Sequence, residues 1–174
     1  MNKALFLYSS TDGQTIKIFE HIINDLKSEF ECELINLHSV TNVAWHEYDK
    51  VMIGASVRYG HLNKKLYQFI ENNHSDLDKN KVAFFCVNLT ARKEGKDTIE
   101  GSTYMRKFLQ KSPWHPKMMA VFAGALFYPR YKWFDRMMIK LIMRLTGGET
   151  DTSKEVEYTD WHKVSTFAQQ FCAF

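Results

Sequence analysis

Short, nearly continuous apolar runs alternate along the chain with stretches whose apolar residues return every three or four positions. Ala4-Leu5-Phe6-Leu7-Tyr8 reads as a buried strand, and Phe19, Ile22, Ile23, Leu26 and Phe30 follow at helical spacing. Leu34, Ile35 and Leu37 predict a second, less buried strand, and Val51-Met52-Ile53-Gly54-Ala55 a third. Leu62, Leu66, Phe69 and Ile70 then share a helical face. Val82-Ala83-Phe84-Phe85-Cys86-Val87 is a fourth strand, Tyr104, Met105 and Phe108 line a helix, and residues 118–125 form a fifth strand. Trp161, Val164, Phe167, Ala168 and Phe171 mark a terminal helix. Strands apolar on both faces, separated by helices, predict a parallel sheet covered on both sides. Five of them in this alternation predict one doubly wound α/β domain over residues 1–174, with strand order 2-1-3-4-5. Residues 126–157 do not fit the scheme. A connection needs only about 2–6 residues, so this stretch reads as an insert, with a helix over about 130–146.

The chain has 174 residues, which is one domain's worth. Its ends show no secretory signal, and no apolar stretch reaches the length of a membrane span. Cys32, Cys86 and Cys172 lack metal or redox spacing and read as free thiols of a reducing compartment, with Cys86 packing in the core. The histidines at 21, 38, 46, 74, 115 and 162 show no ligand spacing, so no metal is expected. The net charge of +3 is mild and points to no nucleic-acid partner. That average hides a local excess. Residues 125–148 hold five Lys or Arg and one Asp, a net +4, while the remaining 18 basic and 19 acidic residues give −1. Five of the 25 aromatic residues, Phe127, Tyr128, Tyr131, Trp133 and Phe134, also fall there.

In such a sheet, ligands bind beyond the carboxyl ends of the strands. The first loop there is Ser9-Ser10-Thr11-Asp12-Gly13-Gln14-Thr15. Its hydroxyls, its glycine and the free N–H groups of a helix start suit a phosphate. Ordinary capping of the helix by Ser, Thr or Asp would use the same residue types. Asp12 would repel a phosphate and is expected to point away from it. The loop carries neither GxxxxGK[ST] nor GxGxxG, which argues against nucleoside triphosphate hydrolysis and against a dinucleotide fingerprint.

This loop, with no lysine in it, resembles that of flavodoxins, which hold the FMN phosphate there and grip the flavin with the loops after strands three and four. FLYSSTDGQT, VMIGASVRYGH, VNLTARKEG and AGALFYPRYKWFDRMMIKLIMRLTGGETDTSKEVEYTDW together resemble the bacterial menaquinone-dependent protoporphyrinogen IX dehydrogenase family over nearly the full length. The most specific part is GALxYPRYxWxDRxMIKLIM, which ordinary flavodoxins lack; residues 95–103 match no family pattern. The resemblance implies FMN held by Ser10, Thr11, Asp12, Gly13, Gln14 and Thr15, by Ser56, Val57, Arg58, Tyr59 and Gly60, and by Asn88, Leu89, Thr90 and Ala91. Tyr59 would lie against the isoalloxazine, and backbone groups of the last loop would meet its pyrimidine edge.

The implied reaction, a step of heme biosynthesis, removes six electrons from protoporphyrinogen IX and gives protoporphyrin IX. Electrons pass two at a time through FMN to menaquinone, ubiquinone or another respiratory quinone. The flavin carries the chemistry, so no protein residue is assigned as catalytic. Arg92, Lys93, Arg130 and Lys132 are candidate partners for the two propionates by charge and loop position. Lys132, Arg136, Lys140 and Arg144 recur every fourth residue and cover an arc of about 120° on a helix, leaving an apolar arc of about 240°. Two readings fit: a helix packed on its own domain with a solvated basic edge, or an interfacial helix with its cations against anionic lipid. The resemblance favours the second and implies a cytoplasmic protein associated with the inner face of the cell membrane. Competing functions are a flavodoxin-type electron carrier, a general quinone reductase, and a flavin-free scaffold. The sequence leaves monomer and homo-oligomer alike open.

Overall fold

A computed structural model describes all residues, 1–174. Five parallel strands form one sheet: β1 (Asn2–Ser9), β2 (Phe30–Asn36), β3 (Lys50–Ser56), β4 (Val82–Asn88) and β5 (Met118–Ala123). Their spatial order is β2-β1-β3-β4-β5, the doubly wound order expected from the sequence. Helices α1 (Gln14–Leu26) and α5 (Trp161–Ala173) cover one face; α2 (Lys64–Lys79) and α3 (Thr103–Lys111) cover the other.

Alternation along the strands feeds two separate cores. Leu5, Leu7, Ile53 and Phe84 point to one side, with Leu66, Ile70, Phe108 and Trp114. Phe6, Met52, Phe85 and Phe122 point to the other, with Phe19, Phe167 and Phe171. Much of the aromatic content is used here: Phe84 stacks on Phe108 with centroids 4.3 Å apart, and Phe85 meets Phe19 at 4.8 Å. Gly54 on β3 makes the second contact fit, because a Cβ there would run into the rings of Phe85 and Phe19. Cys86 is wholly buried.

The fifth strand ends at Ala123 rather than 125. Gly124 breaks it, its N–H reaching the Asn88 carbonyl (3.2 Å) and its carbonyl accepting from Tyr158 N–H (3.0 Å). The chain then forms β6 (Ala125–Phe127), which pairs antiparallel with β7 (Glu155–Glu157). Between these strands, α4 spans Trp133–Leu145. It begins later than the expected 130 because Pro129 sits in a 3-10 turn over Tyr128–Arg130, and Lys132 is extended. Gly147, at φ 70°, closes the helix, and Gly148 N–H donates to the Met143 carbonyl (2.7 Å). Leu126, Tyr128, Tyr131, Ile139 and Met143 form a third, small core under α4.

The expected 240° apolar arc divides in two. Ile139 and Met143 pack on the domain, whereas Trp133, Met137, Leu141 and Leu145 face solvent; Trp133 and Leu145 are 74% and 78% exposed. At 100° per residue, the centres of these two groups lie about 160° apart.

Candidate functional site

The loops after β1, β3 and β4 converge with α4 around one cleft. Counted out to its open mouth, it measures about 880 Å³, within the ~300–1,000 Å³ typical of small-molecule sites. Every residue expected to hold FMN lines it except Gly13 and Ala91, which shape the backbone behind it.

In the first loop, Gly13 turns the chain into α1 at φ 92°. A Cβ there would meet no atom, so the left-handed backbone, not space, is what requires glycine. No side chain caps α1, and Ser10 Oγ accepts instead from Gly13 N–H (3.0 Å). The capping alternative is therefore not realised, and the helix start keeps N–H groups for an anion. Just inside, two buried polar atoms have no partner: Thr15 Oγ1 and Gln14 Oε1.

The orientation of Gln14 follows from its neighbours. Its Nε2 donates to Glu157 Oε2 (3.1 Å) and to Thr159 Oγ1 (2.9 Å), while Thr159 itself donates to the Ala123 carbonyl (2.7 Å). A carboxylate only accepts, so the amide nitrogen belongs there and the oxygen is left as an acceptor. Buried polar atoms are normally satisfied. A hydroxyl-rich, phosphate-bearing ligand supplies what both atoms lack, and the residues present fit FMN on that count.

The loop after β3 is a tight hairpin. Arg58 and His61 exchange backbone hydrogen bonds (2.9 and 3.1 Å) around Tyr59 and Gly60, at φ 49° and 78°. Two consecutive positive φ values make a type I′ turn, which rarely carries a tyrosine. Arg58 anchors it. The guanidinium lies 5.1 Å from the ring centroids of both Tyr59 and Tyr131, donates to Asp12 (2.7 Å) and comes within 3.8 Å of Asp135. Tyr59 donates its hydroxyl to Asp135. The carboxylate of Asp12 thus turns to Arg58. Burial pushes its carboxyl above the ordinary range, against the pull of Arg58 and Tyr131.

After β4, Asn88 Oδ1 accepts from Ala91 N–H and Thr90 Oγ1, both at 2.9 Å, and winds residues Leu89–Arg92 into a 3-10 turn. Arg92 reaches across to α4, donating to the carbonyls of Leu89 (2.7 Å) and Thr146 (3.1 Å). Ile139, Ile142 and Met143 of α4, with Thr146 just past its end, form a wall of the cleft.

The remaining candidate cations do not gather at one place. Arg130 pairs bidentately with Glu155 (2.7 and 2.8 Å), and Arg136 folds back onto the carbonyls of Tyr128 (3.1 Å) and Tyr131 (3.2 Å). Lys93, Lys132, Lys140 and Arg144 are exposed. Sequence reasoning missed the wall residues of α4, Tyr104 and Tyr131 in the lining, and the support of Gln14 by Glu157 and Thr159. For the residues of the insert the only signal was its length, and Tyr104 on α3 and Thr159 after the insert carried none.

Comparison with known proteins places these features in a family. The flavodoxin domain model matches residues 5–153. A protoporphyrinogen IX dehydrogenase (quinone) of Escherichia coli strain K12 is 47% identical, over 97% of this chain and 93% of that protein. One from Leishmania major is 46% identical, over 98% of this chain and 75% of its own length. Among solved structures, the oxidised flavodoxin 1 of Bacillus cereus superposes with a TM-score of 0.54 at 18% identity, covering 98% of this chain and 97% of that one. A Streptococcus pneumoniae TIGR4 flavodoxin gives 0.55 at 14%, covering 98% of each. These two show the shared fold.

Proposed function

The chain belongs to the flavodoxin-domain family and, within it, to the quinone-linked protoporphyrinogen IX dehydrogenases; from that premise we propose that it binds FMN and oxidises protoporphyrinogen IX to protoporphyrin IX in heme biosynthesis, passing electrons to menaquinone or another respiratory quinone. The observation that carries the reading is the pair of orphaned buried atoms, Thr15 Oγ1 and Gln14 Oε1, at the helix start of a three-loop cleft.

Bound FMN supplies the two-electron redox chemistry. The chain's own part is binding, orientation and exclusion of water. The free N–H groups at the start of α1, with Ser10, Thr11 and Thr15, would hold the phosphate. The unpartnered Gln14 Oε1 would accept a hydrogen bond from the ligand. Tyr59 and the backbone of 88–91, which border the cleft, would hold the flavin ring. Ile139, Ile142 and Met143 keep water from the cleft on the side of α4. No protein nucleophile is needed.

The solvent face of α4 supports peripheral attachment to anionic lipid, with Trp133, Met137, Leu141 and Leu145 entering the interface and Lys132, Lys140 and Arg144 at the headgroups. No helix is long and apolar enough to cross a membrane.

Purified protein is expected to be yellow, to release FMN on denaturation, and to oxidise protoporphyrinogen IX anaerobically with menadione. A colourless protein that cannot be reconstituted with FMN refutes the reading. NADPH oxidation with quinone in the absence of porphyrinogen would point instead to a general quinone reductase.

A further inference from the structure

Beside the flavin cleft lies a second hollow, between the start of α2 and the exposed side of α3. Counted to its mouth it also measures about 880 Å³. Lys64, Lys107 and Lys111 stand around it with Tyr67 and Tyr104. A smaller neighbouring hollow shares Lys107 and Tyr104 and adds Lys96. No Asp or Glu lines either one. The ion pairs of the molecule use other cations and leave all four lysines without a carboxylate.

Each such ammonium alone is an ordinary solvated surface group. Three around one concavity, with Lys96 in the adjoining hollow, repel one another, and their fields add up there, which raises the local concentration of anions. The walls add a second property. Tyr67 and Tyr104 are half-buried flat surfaces, and Lys111 Nζ lies 4.1 Å from the Tyr67 ring centroid, held by a cation–π contact. The chemistry that matches is a flat apolar body with more than one carboxylate. The position is specific as well: Gly60 and Tyr104 line both this trough and the flavin cleft, while no residue of α4 lines the trough. By contrast, Arg92 and Arg130 have already spent their guanidinium groups on the protein's own carbonyls and on Glu155.

We propose that the trough between α2 and α3 binds the propionate carboxylates of the tetrapyrrole, with the macrocycle reaching over the Gly60–Tyr104 rim toward the cleft. The proposal rests on the function proposed above. It assigns the substrate to the α2–α3 side and leaves the α4 side to the electron acceptor.

The test compares protoporphyrinogen IX with its dimethyl ester, which keeps the macrocycle and removes the charges. Wild-type protein is expected to show a KM about tenfold lower for the diacid. K107E/K111E should raise that KM about tenfold, shift the ester little, and keep the flavin absorbance spectrum. Lys64→Ala, a single surface change, should move KM in the same direction by a smaller factor and covers the case in which the double variant does not fold. Equal changes for diacid and ester, or no change for either, overturn the proposal. So does weakened binding of NADPH in place of porphyrin. If wild-type protein oxidises neither compound, the functional reading fails separately. Fluorescence titration with protoporphyrin IX then decides alone: weaker binding by the variants upholds the trough, and equal binding overturns it.

Discussion

Thr15 is the residue on which the proposed cofactor site bears most directly. Its hydroxyl is buried in the first turn of α1 and has no hydrogen-bond partner. An unsatisfied buried hydroxyl costs about 1–3 kcal/mol, and a fold selected only for stability would place valine there. Thr15→Val is therefore expected to raise the stability of the FMN-free protein by about 1 kcal/mol while weakening FMN binding about fivefold or more. Chemical denaturation of the flavin-free protein and a flavin fluorescence titration read the two effects. Loss of stability together with unchanged FMN affinity would refute the role assigned to this hydroxyl. The loop's chemistry was legible in the sequence as a run of hydroxyls before a helix. Which buried atoms beside it are orphaned was not: the Gln14 amide oxygen is left over because its amide nitrogen meets Thr159, 145 residues away.

At the scale of the element, α4 divides its surface between two tasks. Periodicity gave the width of its apolar arc, but width does not say which part finds a partner. That part is set by Tyr128 and Tyr131, which pack beneath Ile139 and Met143. The outward row contributes nothing to that packing, so it can be changed without loss of fold. Leu141→Glu is expected to leave the thermal midpoint unchanged within about a degree, since surface substitutions stay within about ±0.5 kcal/mol. It should weaken binding to anionic vesicles about tenfold, the loss of one leucine's burial. Co-sedimentation of wild-type and variant protein measures this, and equal binding would remove the lipid-facing assignment. The return strand β7 was invisible in the sequence for a related reason. Glu-Val-Glu has two exposed charges in three residues, and only its pairing with β6 makes it a strand.

Over the whole molecule, four of the sheet strands, β1, β3, β4 and β5, were legible because burial on both faces leaves a continuous apolar run, whereas β2 at the sheet edge showed only as a short, less buried apolar stretch. The insert's connections to the rest were not, because they are made by scattered polar residues. Glu157 is the main one. It accepts from Gln14 and Lys17 of α1 and from Trp161 of α5 (2.9 Å), tying the end of the insert to the sheet face covered by α1 and α5. Burial pushes its carboxyl upward, but these hydrogen bonds outweigh that and hold it below the ordinary value of 4.5. The unfolded chain then binds the proton more readily than the folded one. Glu157 therefore contributes stability that is present above its unfolded pKa and is lost as pH falls through the lower folded value. Glu157→Gln should flatten the acid side of the stability–pH curve below about pH 4.5 and lower stability at neutral pH by roughly 1 kcal/mol. Urea midpoints across that range test it, and parallel curves would refute it.

The position of α4 has a further consequence. One side of the helix borders the cleft with Ile139 and Met143, and the opposite side carries Trp133, Met137, Leu141 and Leu145. A helix with its side chains is about 10–12 Å thick. The insert therefore acts as a partition one helix wide. A hydrophobic electron acceptor dissolved in lipid on its outer side would stand only that far from the cleft, without having to leave the oily phase or cross open water.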